Sequence, residues 1–337
     1  MYTFREIWGN SALVRHLQTA AAGGRVSHAY LFTGGAGAGK RMFANTFAKA
    51  LQCEGAGERP CCTCASCTAF DSGNHPDVIY VRTEKKSIGV DEIREQILET
   101  VNLKPYRFAC KIYIMENADT MTVQAQNALL KTLEEPPVYA RFLLLAERAE
   151  AFLPTILSRV AVMPLRPLPE QEIAAYLREK AHVPAEACDS YAAYAQGRIG
   201  RALDLLQDED FQQLRQDILQ KVQALPGMSE ADVLAMAKDL EGYKNDLRFL
   251  DIMELWYRDL LAAKCLREER FLVEKEQKDA VFRAAKEPPE RLARNARAVH
   301  EARKRLAQNA NFRLTMEVML MEIKEIEPND RSGRNTL

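Results

Sequence analysis

Two stretches of this 337-residue chain carry residue types that do chemistry only in combination. The first, LFTGGAGAGKR from Leu31 to Arg41, follows an apolar run, precedes a helical pattern and has the G-x-x-x-x-G-K spacing of a phosphate-binding loop. There Gly34, Gly35, Gly37 and Gly39 let backbone N–H groups turn toward phosphate oxygens. The helix start adds its positive end and Lys40 adds a full charge. The next residue should bring a hydroxyl to Mg²⁺, but it is Arg41, which has no lone pair for a metal. The second stretch places Cys61, Cys64 and Cys67 at C-x₂-C-x₂-C spacing with Cys53 just upstream. Four thiolates at ~2.3 Å from Zn²⁺ make a closed tetrahedral site that holds a loop and leaves no open position for catalysis. Cys62 is an alternative to Cys61, at the cost of a C-x-C spacing, and His75 is a further candidate ligand beside its reading as a structural hydrogen-bonding residue.

A third position bears on the first. The apolar run KIYIM ends in Glu116-Asn117, where an active ATPase carries Asp-Glu. Glu116 can still face a hydrated metal, but Asn117 cannot act as a base toward an attacking water. Ala146, after the next apolar run, offers no polar group to a γ-phosphate. Hydrolysis is therefore not expected of this chain, while binding of ATP or ADP without hydrolysis stays open.

These positions need a scaffold, and the first 165 residues supply its pattern: short β-type runs alternating with helical ones, the mark of a parallel sheet covered on both faces. Five strands are expected, at Tyr30 to Thr33, Val78 to Val81, Lys111 to Met115, Arg141 to Ala146 and Val160 to Met163. Helical stripes fall between them: Leu13, Val14 and Leu17 after an Asn10 cap, stopped by Gly23 and Gly24; Ile93, Ile97 and Val101 after Asp91; and Leu129, Leu130 and Leu133 before Pro136 and Pro137. Past Pro164 the pattern is helical throughout. The expected organisation is an α/β nucleotide-binding-like domain over 1–166, with the cysteine module inserted at about 53–67. A helical lid over 167–207 and a helical bundle over 208–330 follow, with frayed residues at Asp330 to Leu337. In the bundle, Phe211, Leu214, Ile218 and Val222 share a face, as do Leu250, Met253, Tyr257 and Leu260, then Leu292, Val299 and Leu306. Cys110, Cys188 and Cys265 are isolated and expected to be buried.

The 46 basic and 47 acidic residues give a net charge of −1, so no global field holds a polyanion and any nucleic-acid contact is local or shared. The opening MYTFREIWGN has no apolar signal core, and no run is long enough to span a bilayer; a cytoplasmic protein is expected. No carboxylate constellation for two-metal nucleotidyl transfer is legible.

Six segments together resemble the clamp-loader branch of the AAA+ ATPases: SHAYLFTGGAGAGK, the cysteine module, HPDV at 75–78, IGVDEIRE at 88–95, NALLKTLEEPP at 127–137 and LPTILSRV at 153–160. Within the branch the chain is similar to the delta-prime family and departs from the motor subunits called gamma or tau, which keep Gly-Lys-Thr and Asp-Glu. NANFRLTMEVMLMEI at 309–323 looks like that family's last collar helix. The resemblance implies an AAA+ domain, a lid and an oligomerising collar in a five-subunit ring. Its implied partners are the gamma/tau motor subunits, the clamp-opening delta subunit, the sliding clamp and primed DNA. It also implies that Ser158-Arg159 is the motif that extends an arginine finger into a neighbour's ATP site. Arg198 resembles a lid sensor position, and Lys85-Lys86 reads as a solvated loop. Two other readings remain: a functioning ATPase, and a zinc-dependent nucleic-acid-binding protein, against which the module's Glu54, Glu58 and Arg59 and its lack of an aromatic platform argue.

Overall fold

A computed structural model describes residues 2–23 and 26–324. Spatial contacts divide the chain into two compact units, Met1–Tyr176 with Gln196–Arg201, and Leu177–Ala195 with Ala202–Leu337. The division cuts two of the three short helices between residues 170 and 207.

In the first unit the strands are β1 (Ala29–Thr33), β2 (Val78–Val81), β3 (Lys111–Met115), β4 (Ala140–Ala146) and β5 (Ala161–Pro164). All pair in parallel, in the order β2-β3-β4-β1-β5. Residues of β1, β3 and β4 are almost wholly buried because helices cover both sheet faces, which is why these segments read as continuous apolar runs. Thr33 is in register with Ala146 on one side and Pro164 on the other, so the loop after β1 opens between the carboxyl ends of β4 and β5. In open parallel sheets that end is where ligands meet the fold.

The helices of this unit are α1 (Ser11–Gly23), α2 (Lys40–Gln52), α3 (Ala65–Asp71), α4 (Val90–Ile93), α5 (Val123–Glu134) and α6 (Pro154–Leu157). On one face, α1 and α2 bury Leu17, Phe43 and Phe47 against Tyr30, Phe32 and Ile112. On the other, α4 and α5 bury Ile93, Leu129 and Leu133 against Leu31, Tyr113 and Phe142. Each such side chain contributes ~1.5–3 kcal/mol. Thr122 caps α5 through the Ala125 N–H at 3.2 Å.

In this unit two local expectations differ from the structure. Asn10 lies at the head of α1, but its side chain pairs with both backbone groups of Arg166, at 3.0 and 3.1 Å, tying α1 to the strand-end chain. The stripe Ile93, Ile97, Val101 is buried but is not one α-helix. After α4 the chain widens over Arg94–Leu98 into a π turn, with the Glu99 N–H donating to Arg94 O at 3.0 Å. The five-residue step lets Gln96 turn out to bond both backbone groups of Arg82 while Ile97 stays inside. Gly24 and Asp330 to Leu337 lie outside the described residues.

Helices α7 (Glu170–Glu179) and α9 (Ile199–Gln207) are each cut by the division between the units, and α8 (Ala185–Tyr194) lies wholly in the second. The second unit continues with α10 (Glu209–Ala224), α11 (Glu230–Asp239), α12 (Arg248–Leu266), α13 (Lys278–Ala284), α14 (Pro289–Ala307) and α15 (Phe312–Lys324). Here α12 packs on α10 and α14, and α14 on α15. Phe211, Leu214, Ile218, Val222, Met253, Trp256 and Val299 form the interior, as the 3.6-residue spacing requires. One buried ionic cluster joins them: Glu274 bonds Arg215, Tyr194 and Ser190, and Asp259 accepts the Val273 and Glu274 N–H groups. Cys188 is buried, but Cys265 is exposed, contrary to expectation. It sits two residues past buried Ala263 in the last turn of α12, about 200° around the helix from the buried face.

Candidate functional site

The phosphate loop is formed, and protein groups lie against it. Gly37 (φ +76°) and Gly39 (φ +90°) adopt the left-handed backbone that the turn into α2 needs. The Gly200 N–H donates to Gly37 O at 2.9 Å, so close that a side chain on Gly37 would strike the backbone of Gly200 and Arg201. A side chain on Gly35 would strike the Arg198 guanidinium. Lys40 folds back, its ammonium donating to Gly34 O and, at 3.1 Å, to Gly35 O. Burial, with Arg198 adding repulsion, holds the Lys40 ammonium below its ordinary pKa, while Glu147 and Asp119 support its charge. Arg198 also bonds Gln196 at 3.1 Å.

Where a hydroxyl and a carboxylate would hold Mg²⁺, Arg41 Nε stands 3.0 Å from Glu116 Oε1. The contact has ion-pair distance without hydrogen-bond alignment. Arg41 supplies a fixed positive charge beside Glu116 and no ligand atom. Asn117 has a left-handed backbone (φ +51°) and starts a short 3-10 turn. Ala146 is buried, and its carbonyl takes the Gly34 N–H at 3.2 Å.

Arg159 and Ser158 follow α6. Arg159 is one-third exposed, pairs with Glu134 of α5 at 2.7 Å, and donates to Thr155 O at 2.8 Å and to Ser158 Oγ at 3.0 Å. Within this chain its charge is thus met by a carboxylate of the same unit. Glu134 is itself half-exposed and open to exchange.

The cysteine loop between α2 and α3 is different. The Sγ atoms of Cys53, Cys61, Cys64 and Cys67 lie within 4.8 Å of one another. A tetrahedral metal with ~2.3 Å bonds to sulfur needs S–S separations of about 3.8 Å, so small side-chain motions would close the shell. Backbone N–H groups already point at the sulfurs: Cys61 to Cys53 at 3.3 Å, Cys64 to Cys61 at 3.4 Å and Cys67 to Cys64 at 3.5 Å. The Thr63 and Cys64 N–H groups bring the Cys61 thiol down to about 5, whereas burial pushes the Cys67 thiol up. The donor set fits a thiophilic metal.

Cys62 faces the other way. Its backbone is left-handed (φ +64°), and its sulfur accepts from the Lys49 ammonium at 3.3 Å. Lys49 is fully buried on α2 and also grips both oxygens of Asp71, at 2.7 and 2.9 Å, at the end of α3. Burial opposes the Lys49 charge, but Asp71 and Cys62 outweigh it and hold the ammonium above its ordinary value. This anchor escaped the sequence reading, although a lysine flanked by Ala48 and Ala50 on the apolar face of α2 is a visible anomaly. His75 is buried outside the cluster, Nε2 3.2 Å from Ser66 Oγ and Nδ1 accepting the Asp77 N–H at 3.3 Å. Lys85 pairs with Glu92 at 2.8 Å.

Two family models match the chain, one described as DNA polymerase III, delta subunit over residues 9–169, the other as its C-terminal part over residues 209–325. DNA polymerase III subunit delta' of Bacillus subtilis is 30% identical over 308 residues, covering 89% of this chain and 92% of that protein. Subunit tau of the same organism is 29% identical over 95% of this chain, which spans 61% of tau's length. Among solved structures, a DNA polymerase III gamma subunit-related protein of Thermotoga maritima superposes with TM-score 0.46 and 21% identity, covering 92% of this chain and 98% of that one. No helix among the described residues is long and apolar enough to cross a membrane.

Proposed function

The chain belongs to the delta-prime family of DNA polymerase III clamp-loader subunits, and from that membership we propose that it works in the loader ring without turning over ATP, lending Arg159 to a neighbour's nucleotide. One observation carries the reading: Arg41 occupies the metal's side of Glu116. A guanidinium there repels Mg²⁺, and Asn117 leaves no base to activate water. Lys40, held on its own loop's carbonyls, and Gly200, bonded to Gly37 O, further oppose nucleotide entry.

In the ring, gamma/tau motor subunits hold ATP, the delta subunit opens the sliding clamp, and the assembly closes that clamp on primed DNA in the cytoplasm. Arg159 acts when it leaves Glu134 for the partner's γ-phosphate, where a planar guanidinium neutralises charge growing on the transferred group. Fingers of this kind contribute ~10³ to 10⁵ in rate. Ser158, bonded to Arg159 at 3.0 Å, orients it. Cys53, Cys61, Cys64 and Cys67 hold Zn²⁺, which cross-links the loop and takes no part in reaction.

The direct test is ATP turnover by the isolated chain with Mg²⁺. The reading expects a rate no higher than that of Lys40→Ala; turnover that Lys40→Ala abolishes would contradict it.

A further inference from the structure

Beside the closed phosphate loop, at the carboxyl ends of β2 and β3, lies a separate cleft of about 390 Å³. Three elements build it. Arg41 comes from the first turn of α2, Arg82, Lys85 and Lys86 come from the loop between β2 and α4, and Asn117 and Thr120 come from the turn after β3. We propose that this cleft binds the phosphate groups of a di- or triphosphate, or of a nucleic-acid strand, without a divalent metal. The inference rests on the reading of Arg41 as the metal's replacement.

The lining has four cations to one carboxylate, Glu116, which Arg41 already faces. Lys85 is partly committed to Glu92, at 2.8 Å. Arg82 lies over the Tyr80 ring, 5.4 Å from its centre, a contact that limits the guanidinium's freedom without neutralising it. Among the described residues neither Arg82 nor Lys86 has a carboxylate partner. Two guanidinium groups and two ammonium groups, with the Asn117 amide beside them, are donors suited to tetrahedral oxyanions, while the Thr83 and Thr120 hydroxyls donate to Glu92 and Asn117 O. The cleft's apolar lining is Val81 and Ile88, and no aromatic ring offers a base a platform. The ligand is therefore read through its phosphates. In an active site of this fold Mg²⁺ carries the positive charge at Glu116's end; here it is covalently built in as Arg41 and extended outward by Arg82 and Lys86.

Calorimetric titration of the full chain with inorganic pyrophosphate, in buffer free of added divalent metal, tests this. Expected is saturable binding that Arg82→Ala/Lys86→Ala weakens about tenfold or more, that Arg41→Ser also weakens, and that added Mg²⁺ weakens by competing for the anion. A short single-stranded oligonucleotide in a second titration separates the sources: stronger binding of pyrophosphate assigns a free oligophosphate, stronger binding of the strand a nucleic-acid backbone. No binding of either, or binding indifferent to Arg82→Ala/Lys86→Ala, overturns the cleft and leaves the replaced metal position standing. Binding that appears only with Mg²⁺ overturns both.

Discussion

The phosphate loop and the cysteine loop lie at opposite ends of α2, and their polar groups are partnered in opposite ways. At the amino end, protein groups contact the loop and the acidic residue beside it: Lys40 bonds its own loop's carbonyls, the Gly200 N–H bonds Gly37 O, and the Arg41 guanidinium faces Glu116. At the carboxyl end, four thiols converge with N–H donors aimed at them, and among the described residues no cation sits between them. The nearby Lys49 ammonium is spent on Cys62 and Asp71, outside the cluster. One end of α2 is met by the protein's own cations; the other presents sulfur donors without one.

That contrast predicts where substitution should hurt. The largest effect belongs to the cysteines. Cys64→Ser or Cys67→Ser should abolish metal retention and unfold the 53–67 loop, since structural zinc sites commonly carry ~10–16 kcal/mol of apparent binding free energy. Metal content and thermal unfolding read this, and an unchanged melting temperature after complete metal loss would break the comparison. Next comes Lys49→Met, which leaves Asp71 and Cys62 without their buried partner and should cost about 2–4 kcal/mol in chemical denaturation. A cost within error would show that the anchor is dispensable.

A smaller effect is pH-dependent. Burial holds His75 neutral below its ordinary pKa of 6.5, opposed by Asp77 and Glu54. A depressed folded-state value means the unfolded chain takes up the proton first, so this stabilisation is complete above about pH 6.5 and is lost as pH falls through the folded value. His75→Asn should flatten that limb of the stability profile relative to wild type; parallel profiles would remove the assignment. The smallest effect is expected of Arg41→Ser, because the Arg41–Glu116 pair is substantially exposed. It should change stability by less than about 1 kcal/mol, whatever it does to metal affinity. A larger loss would mean that the pair holds the loop together.

Much of this was legible in the sequence. The residue types of Arg41, Asn117 and Ala146 were the sequence's argument against hydrolysis, and the two-residue cysteine spacings marked the cluster that the structure brings together. The strands were legible because β1, β3 and β4 are buried on both faces. What was not legible depends on distant partners. Gly200 lies more than 160 residues from Gly37, and nothing in its neighbours says that its N–H closes the phosphate loop. Asn10 has the residue type of a helix cap but serves Arg166, because the strand-end chain passes within reach. The π turn after Ile93 preserves the burial that the periodicity promised while changing the hydrogen bonding that periodicity implies. The Arg159–Glu134 pair likewise joins two segments that each look self-sufficient.

On the proposed function, Arg159 acts in trans while the chain's own nucleotide loop is silent. Reconstituting the loader with wild type, Arg159→Ala or Lys40→Ala, verifying assembly of each, and measuring clamp- and DNA-stimulated ATP turnover tests it most directly. The expected result is a fall of at least about a hundredfold at the affected site for Arg159→Ala, with no change for Lys40→Ala. Full turnover with Arg159→Ala, or a loss with Lys40→Ala in an intact ring, would contradict it.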